Sequence, residues 1–312
     1  MPASRCTVII LNWNGRKYLE ACFASLRRQT LRDFDVLLMD NASQDGSVEY
    51  VAHEFPEVRV LQLSDNLGFC RANNLGIEDA LARGSEFVLL LNNDTTVAPE
   101  CLERMFAAMS EDPRAAVVCP KILFMDYPDT FWYAGADFSL WTSRSHYTGW
   151  RQKDESQYDE RRLITQATGC AMLVRASAAT EVGFLDERMW AYVEDVDWSI
   201  RFLRKGYRLL YEPKARVWHH DGGTSVSEGS QFRRQYLTTR NLLLLCRKHA
   251  QWWQLPTFLL GFLFFHVGYY SCLRLARGDF RALRAIYDGI VNSSQMVPSV
   301  PDTYSLGTIA HP

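Results

Sequence analysis

An α/β fold with a mainly parallel central sheet and helices on both faces is predicted by three observations along this 312-residue chain. Short apolar runs recur at 6–11, 34–40, 58–63 and 86–91, and each is followed by a polar loop and then a stretch of helical periodicity. Such alternation builds parallel pairs, because each helix carries the chain back across the sheet. All four loops begin with or contain Asn or Asp. In open parallel sheets ligands bind beyond the carboxyl ends of the strands, so these four polar tips are expected to converge on one crevice.

The elements follow in order. CTVIIL (6–11) leads through Asn12-Trp13-Asn14-Gly15 to a helix from about 17 to 29, and FDVLLMD (34–40) leads through NASQDGS to a helix near 47–54. VRVLQL (58–63) leads through SDNLGF to a helix near 70–83, and EFVLLL (86–91) leads through NNDTTVAPE to a helix near 99–110. After Val118 the pattern loosens: 131–150 holds seven aromatics, and 151–162 holds eight charged residues in twelve, which reads as a solvated loop or mobile flap. Order returns with a buried strand at 167–175, a helix near 176–182 and a strand at 208–220. Between them Val196, Ile200 and Leu203 keep helical spacing and Gly206 supplies a stop, which places Glu194, Asp195 and Asp197 at a helix N-terminus.

Composition narrows the function. The chain carries 34 Lys+Arg against 36 Asp+Glu, so it lacks the basic excess of a sequence-independent nucleic-acid binder, and nucleic acid is not expected as a partner. The eight cysteines are scattered, with no C-x-x-C pair, and read as reduced core residues of a cytosolic chain. The N-terminal apolar run is too short for the hydrophobic region of a signal peptide. From His249 to Leu273 there is no Asp, Glu, Lys or Arg, and this stretch meets the length criterion for a membrane span. Basic residues flank it on both sides, and Pro256 and Gly261 interrupt it, which favours a segment lying in or dipping into the cytoplasmic leaflet. The competing reading is a buried hairpin or the interface of a homo-oligomer. The expected divisions are 1–245, with halves at about 1–115 and 116–245, an apolar helical segment over 246–291, and a disordered tail over 292–312.

Several tips carry residue types with chemistry. Asp40, after a buried strand, can accept from a base N–H or ribose hydroxyl, or can order an Asx-rich turn; capping suits Asp45 better. Asn66, Gly68, Arg71 and Asn74 open a helix whose N–H groups and guanidinium suit a diphosphate, although a plain capped helix reads alike. Asn92, Asn93 and Asp94 offer hard oxygen donors suited to Mg²⁺ or Mn²⁺ held together with substrate phosphates, or a simple turn. His219, ending a later strand, offers an imidazole to the same metal, and His220 must face the other way. Glu194, Asp195 and Asp197 repel one another, which can raise one pKa toward that of a general base; Trp190, Tyr192 and Trp198 beside them argue against full solvation.

The ordered set NWNG, MDNASQDGS, DNLGFCRANNLGI, LLNND, GCAMLVR, FLDERMWAYVEDVDWSIRFLRKGY and VWHHDGGTS resembles the family 2 glycosyltransferases with a GT-A fold, in particular the rhamnosyltransferase-like branch. The likeness covers about residues 6–245. It implies a nucleotide-sugar half followed by an acceptor half, with Asn12, Asn14, Asp40, Asn41, Asn66, Gly68, Arg71, Asn74 and Asn93 toward a dTDP- or UDP-linked donor. Asn92 and Asp94 stand at the family's metal-binding D-x-D, with Asn92 in place of its first Asp, and His219 matches the histidine that completes the metal site in some members. Asp195, seconded by Glu194, stands at the catalytic base of an inverting transfer to a hydroxyl of a lipid-linked or polysaccharide acceptor. Trp132, Trp141 and Trp190 are candidate acceptor contacts, since ring faces pack on sugars; they can equally cover the sheet. The location implied is the inner face of the cell membrane. A sugar-phosphate nucleotidyltransferase, which usually opens with a Gly-rich loop after its first strand, and a non-catalytic nucleotide-sugar binder remain as alternatives. A dinucleotide oxidoreductase is set aside because no G-x-G-x-x-G follows the first strand.

Overall fold

The computed structural model describes residues 5–220, 228–276 and 278–294. The chain divides into two compact units, the first holding 5–137, 146–185 and 195–220, the second 138–145, 186–194 and the described residues from 228 onward. The expected tail lies outside the described residues beyond Ser294.

The first unit opens with the predicted alternation: β1 (Cys6–Asn12), α1 (Arg16–Arg27), β2 (Phe34–Asp40), α2 (Ser47–Glu54), β3 (Arg59–Gln62), α3 (Gly68–Ala82) and β4 (Phe87–Asn92). There follow β5 (Thr95–Val97), α4 (Cys101–Glu111), β6 (Ala115–Phe124), β7 (Phe131–Tyr133), β8 (Ala136–Ser139), β9 (Arg144–Tyr147), β10 (Arg162–Ile164), β11 (Ala171–Arg175), α5 (Ala176–Val182), α6 (Glu194–Arg204) and β12 (Arg208–His219). One ten-stranded sheet runs β10-β12-β6-β11-β4-β1-β2-β3, with β5 on β12 and β7 on β6. β1 pairs parallel with β2 and β4, and β2 with β3, whereas β11 is antiparallel to both β4 and β6. β8 and β9 form a separate hairpin whose tip, 138–145, belongs to the second unit.

Burial explains why the parallel strands read as unbroken apolar runs. Val8, Ile9 and Ile10 of β1 are completely buried, covered on both faces as a central parallel strand must be. On one face α3 comes very close: a Cβ on Gly76 would lie 2.8 Å from Ile9, so glycine sets the helix-to-sheet distance. The charged stretch 151–162 is exposed but tied down rather than a free flap. Buried Lys121 on β6 pairs with Asp154 at 2.7 Å and Asp159 at 2.5 Å, and Arg161 pairs with buried Glu212 at 2.6 Å. Of the cysteines, seven are buried and Cys272 is exposed, all of them free thiols.

The second unit is helical. α7 (Glu228–His249) is followed by α8 (Leu255–Gly261), a π-helical stretch (Phe262–Tyr269), α9 (Tyr270–Leu275) and α10 (Phe280–Val291). Pro256 does not interrupt the apolar segment, because it sits in the first turn of α8, where its missing N–H has no intrahelical partner to lose. Leu242, Cys246, Phe258 and Phe262 make one small core, against which Phe138, Leu140 and Val193 pack. Tyr236, Leu237 and Ala285 make another, joined by Trp190, Tyr192 and Phe232. Over Leu255–Leu275, 21 residues with mean hydropathy 1.4, only 11% of the most apolar window is buried. Leu260, Leu263 and Phe264 are more than half exposed, so among the described residues nothing buries this segment as a hairpin.

Candidate functional site

In the first unit the strand tips meet, as the topology requires. Asn12, closing β1, donates from Nδ2 to Asp40 Oδ2 at 3.1 Å and to Ser43 Oγ at 3.1 Å, while its Oδ1 accepts from Asn93 Nδ2 at 2.7 Å. The other oxygen of Asp40 accepts from Ser43 N at 2.9 Å. Asn14 accepts from Gln44 N at 2.7 Å and its own N–H donates to Ser43 Oγ at 2.9 Å. Residues from three tips therefore form one web with Asp40, fully buried, at its centre. Asn14 and Ala42 hold left-handed backbone at φ 51° and 64°, a conformation that costs free energy for non-glycine residues and gathers at functional sites. Asp45 serves the turn: it accepts from Ser47 N at 3.2 Å and from Arg16 N at 2.8 Å.

Gly15 is required by this web. A Cβ there would stand 2.2 Å from Asn93 Nδ2 and 2.6 Å from Asn12 Oδ1. Gly15→Ala is expected to displace both amides and to weaken nucleotide binding about tenfold or more, since small misplacements at a binding site are costly. Isothermal titration with the nucleoside diphosphate checks this; unchanged affinity would show that the Asn12–Asn93 pair has no part in binding.

The third tip is joined through amides. Asn41 Nδ2 donates to Asn66 Oδ1 at 2.8 Å, and Leu67 N donates to Asn41 Oδ1 at 2.8 Å. Gly68 starts α3 with φ at 80°, and Arg71 is exposed one turn on. Asn74 is buried, and its amide clamps Leu185, donating to its carbonyl at 2.9 Å and accepting from its N–H at 3.0 Å. Its visible work is thus structural.

Asp94 and His219 form a second focus. β5 pairs with the end of β12, with Thr95 opposite His219, and this register brings the two side chains together. Asp94 Oδ1 lies 3.3 Å from His219 Nε2, yet among the described residues neither that oxygen nor His219 Nδ1 makes a hydrogen bond, and both are buried. Orphaned polar atoms at such burial are costly, so a cation beside Asp94 and His219 would relieve an existing penalty. Burial lowers the imidazole pKa, but neighbouring Cys170 and Asp94 more than offset this, and the net direction is upward; a metal ion would displace that proton. Among the described residues no three His, Cys, Asp or Glu side chains cluster for a metal. Two protein donors nonetheless fit Mg²⁺ or Mn²⁺, which keep water and substrate phosphates as further ligands. Asn92 ends β4, where its carbonyl accepts from Thr95 Oγ1 at 2.7 Å. His220 faces away and packs on Tyr18.

Asp195 is half-buried near the start of α6. Its Oδ2 accepts from Gly169 N at 3.2 Å and its Oδ1 from Val196 N at 2.8 Å. Burial pushes its pKa up to about 6, against the lowering effect of those two N–H groups. Asp197 is fully buried and neutralised by Arg201 at 2.9 Å. Glu194 is buried and belongs, with Trp190 and Trp141, to the second unit. Trp132 lies beside the Asp94–His219 pair, its ring 4.8 Å from the imidazole, and among the described residues its buried Nε1 makes no hydrogen bond.

Sequence reasoning missed Ser43, Gly169 and Cys170. Ser43 carried a signal, two residues inside the Asx-rich turn; Gly169 and Cys170 carried none, because their parts depend on β11 lying antiparallel between β4 and β6.

Comparison with known proteins shows the family. The sequence pattern of the family described as Glycosyl transferase family 2 matches residues 7–182. An N-acetylglucosaminyl-diphospho-decaprenol L-rhamnosyltransferase of Mycobacterium tuberculosis is 31% identical over 269 residues, covering 80% of this chain and 86% of that one. A dTDP-rhamnosyl transferase, RfbF, of Shigella flexneri is 24% identical, covering 79% and 81%. Among solved structures, S. aureus TarS 1–349 superposes with TM-score 0.59 at 17% identity over 94% of this chain and 81% of that one. A mannosyltransferase from Pyrobaculum calidifontis, in complex with GDP-Man and Mn²⁺, superposes with TM-score 0.57 at 13% identity, covering 93% and 86%. These two show a shared GT-A fold.

Proposed function

The chain belongs to glycosyltransferase family 2, and from that premise we propose that it transfers rhamnose, with inversion, from dTDP-rhamnose to a sugar hydroxyl of a polyprenyl-diphosphate-linked acceptor. Family membership makes it a glycosyltransferase rather than a nucleotidyltransferase or a passive binder. The observation that carries the mechanism is Asp195, a half-buried carboxylate with its pKa raised to about 6. At neutral pH it is ionised, yet basic enough to take the acceptor hydroxyl's proton as that oxygen attacks the anomeric carbon. The N–H groups of Gly169 and Val196 fix both of its oxygens in place. A single displacement inverts the configuration.

The donor is read by the web around Asp40, with Asn12 and Asn93 setting its geometry. Asp94 and His219, with Asn92 beside them, would hold a divalent ion, which when bound supplies positive charge to the departing diphosphate. Rhamnose is supported by the names of both relatives, and dTDP by that of the Shigella one.

The test is transfer from dTDP-rhamnose, compared with UDP-linked sugars, to N-acetylglucosaminyl-diphospho-polyprenol, with Mn²⁺ and with a chelator. Rhamnosylation that needs the metal, with product of inverted configuration, is expected. Transfer from a UDP-sugar in preference to dTDP-rhamnose would overturn the donor assignment, and retention of configuration would overturn the role of Asp195.

The exposed helix over 255–275 supports a seat on the inner face of the cell membrane, where such an acceptor resides. Substituting Leu260, Leu263 and Phe264 together by Glu changes only exposed side chains. The protein is expected to move from the membrane pellet to the supernatant, because each apolar side chain contributes up to about 2 kcal/mol of partition energy. A triple variant that still pellets with membranes would exclude this helix as the anchor.

A further inference from the structure

We propose that α10 is a lipid-contacting helix in its own right, and that Arg281 and Arg284 make it select anionic headgroups. The proposal rests on the membrane seat inferred above and adds the class of lipid and the residues that read it.

α10 has an apolar stripe on each side. On the inner side Ala282, Ala285, Ile286 and Gly289 are buried, and Ala285 joins Tyr236 and Leu237 of α7 in one core. Gly289 sets the approach of the two helices, because a Cβ there would stand 2.7 Å from the Tyr236 carbonyl oxygen and 2.9 Å from Thr239 Cβ. This inner face accounts for the helix's place in the unit. On the outer side Phe280, Tyr287 and Val291 are each more than half exposed. At about 100° per residue these three lie within about 40° of arc, one stripe along three turns. A helix that packs only on its own protein turns polar side chains outward. Here the outer face is the more aromatic of the two, and large apolar groups held together at a surface mark a contact.

Charge names the partner. Residues 228–294 carry nine Lys+Arg against three Asp+Glu, in a chain whose total is 34 against 36. Positive charge is thus concentrated on the segment that also exposes its apolar side chains, and an anionic bilayer is the surface that meets both. On α10 itself Arg281 and Arg284 are exposed and stand three residues apart, bordering the outer stripe. Arg284 lies 3.6 Å from Asp288, one turn on, an exposed pair that contributes little and leaves the guanidinium at the surface. Arginine lays its methylene stem along apolar surface while its charged head reaches outward. Rings at the acyl boundary and guanidinium groups at the phosphates are therefore compatible in a helix lying flat.

The start of α10 is fixed in advance. Gly278, at φ 66°, turns the chain out of α9, and Asp279 Oδ1 caps α10 by accepting from Ala282 N at 3.1 Å. The other oxygen of Asp279 accepts from Arg274 Nη1 at 3.2 Å, which ties the end of α9 to the start of α10. Phe280 and Arg281 are thereby held in helical geometry, so docking has little further chain to order.

Flotation of the full-length protein is compared on vesicles of phosphatidylcholine and of phosphatidylcholine mixed with phosphatidylglycerol, at low and high salt. The wild type is expected to bind the anionic vesicles about tenfold more tightly at low salt, a difference that shrinks as salt is raised. Arg281→Gln with Arg284→Gln should weaken binding to the anionic vesicles about tenfold and leave binding to phosphatidylcholine within about twofold. Arg281→Lys with Arg284→Lys, which keeps the charge, should keep the preference. Phe280→Ser with Tyr287→Ser should weaken both vesicles alike, about tenfold. All four side chains are exposed, so melting temperatures near wild type are expected and verify the fold of each variant. A glutamine variant that retains the full anionic preference would overturn the role of the arginines, and a serine variant that binds as the wild type does would overturn contact by α10. A wild-type dimer that sedimentation shows the serine variant to dissociate would assign the outer face to a second copy of this chain instead. A wild type that floats with neither vesicle overturns the membrane seat and this site with it; one that binds both vesicles alike keeps the seat and overturns this site alone.

Discussion

Asp195→Asn is expected to reduce sugar transfer about 10³-fold while making the protein more stable at neutral pH. The loss of rate follows from removing the carboxylate proposed as the general base, an effect typically of 10² to 10⁴. The gain in stability follows from linkage. A carboxyl whose pKa stands near 6 in the folded chain, against 3.8 unperturbed, favours folding when protonated. That contribution is complete below about pH 4 and is lost as pH rises through about 6, so at pH 7.5 the ionised side chain is a liability. Each pKa unit is about 1.4 kcal/mol, which bounds the gain near 3 kcal/mol. Asparagine reproduces the neutral form but replaces one of two accepting oxygens by a donor, facing either Gly169 N or Val196 N. That costs about 1 kcal/mol, leaving a net gain of about 1–2 kcal/mol. Thermal melts at pH 7.5 and pH 4 check the sign: the variant should exceed the wild type at the higher pH and not at the lower. In the wild type, kcat/KM should fall tenfold per pH unit below about 6. A variant that is inactive and also less stable at pH 7.5 would make Asp195 a structural carboxylate.

β1, β2 and β4 were legible because a parallel strand covered on both faces is mainly apolar, and 8–10, 36–39 and 87–91 are buried apolar runs. Their polar tips were legible for the complementary reason: the crevice lies where strands end, and Asn12, Asp40 and Asn93 do join there. β5, β7, β8, β9 and β10 were not foreseen. Each has three or four residues, too few to show a period; β5, β7 and β10 form on the edges of longer strands, as β12 provides for Thr95–Val97, and β8 and β9 pair with each other. The charges of 151–162 spelled exposure correctly but not attachment, since Lys121, which anchors them, sits within an apolar run thirty or more positions earlier. The acidic cluster was visible as three equivalent carboxylates. Nothing in its letters separates their roles, because those depend on what α6 packs against.

That separation is sharpest at Asp197, two positions from Asp195, where Asp197→Ala is expected to destabilise the protein by about 3–5 kcal/mol and to leave the chemistry of the folded fraction intact. Asp197 is completely buried, and its Oδ2 accepts from Arg201 Nε at 2.9 Å one turn along α6. The guanidinium also donates to the carbonyls of Val182 at 2.8 Å, Gly183 at 2.7 Å and Phe184 at 2.6 Å, and so fixes α6 to the turn that ends α5. Trp198 Nε1 adds a fourth bond, to the Gly183 carbonyl at 2.8 Å. Removing the carboxylate leaves a largely buried cation with carbonyl dipoles but no counter-ion among the described residues, and breaking a buried pair on one side costs far more than deleting it whole. The double change Asp197→Ala with Arg201→Met should therefore recover part of the loss, which chemical denaturation of both variants measures. Should Asp197→Ala unfold at the wild-type midpoint, the three carbonyls suffice for Arg201 and the pair is incidental. With Asp195→Asn shifting stability upward and Asp197→Ala downward, two residues on the same helical turn separate a carboxylate that burial destabilises from one that holds the fold.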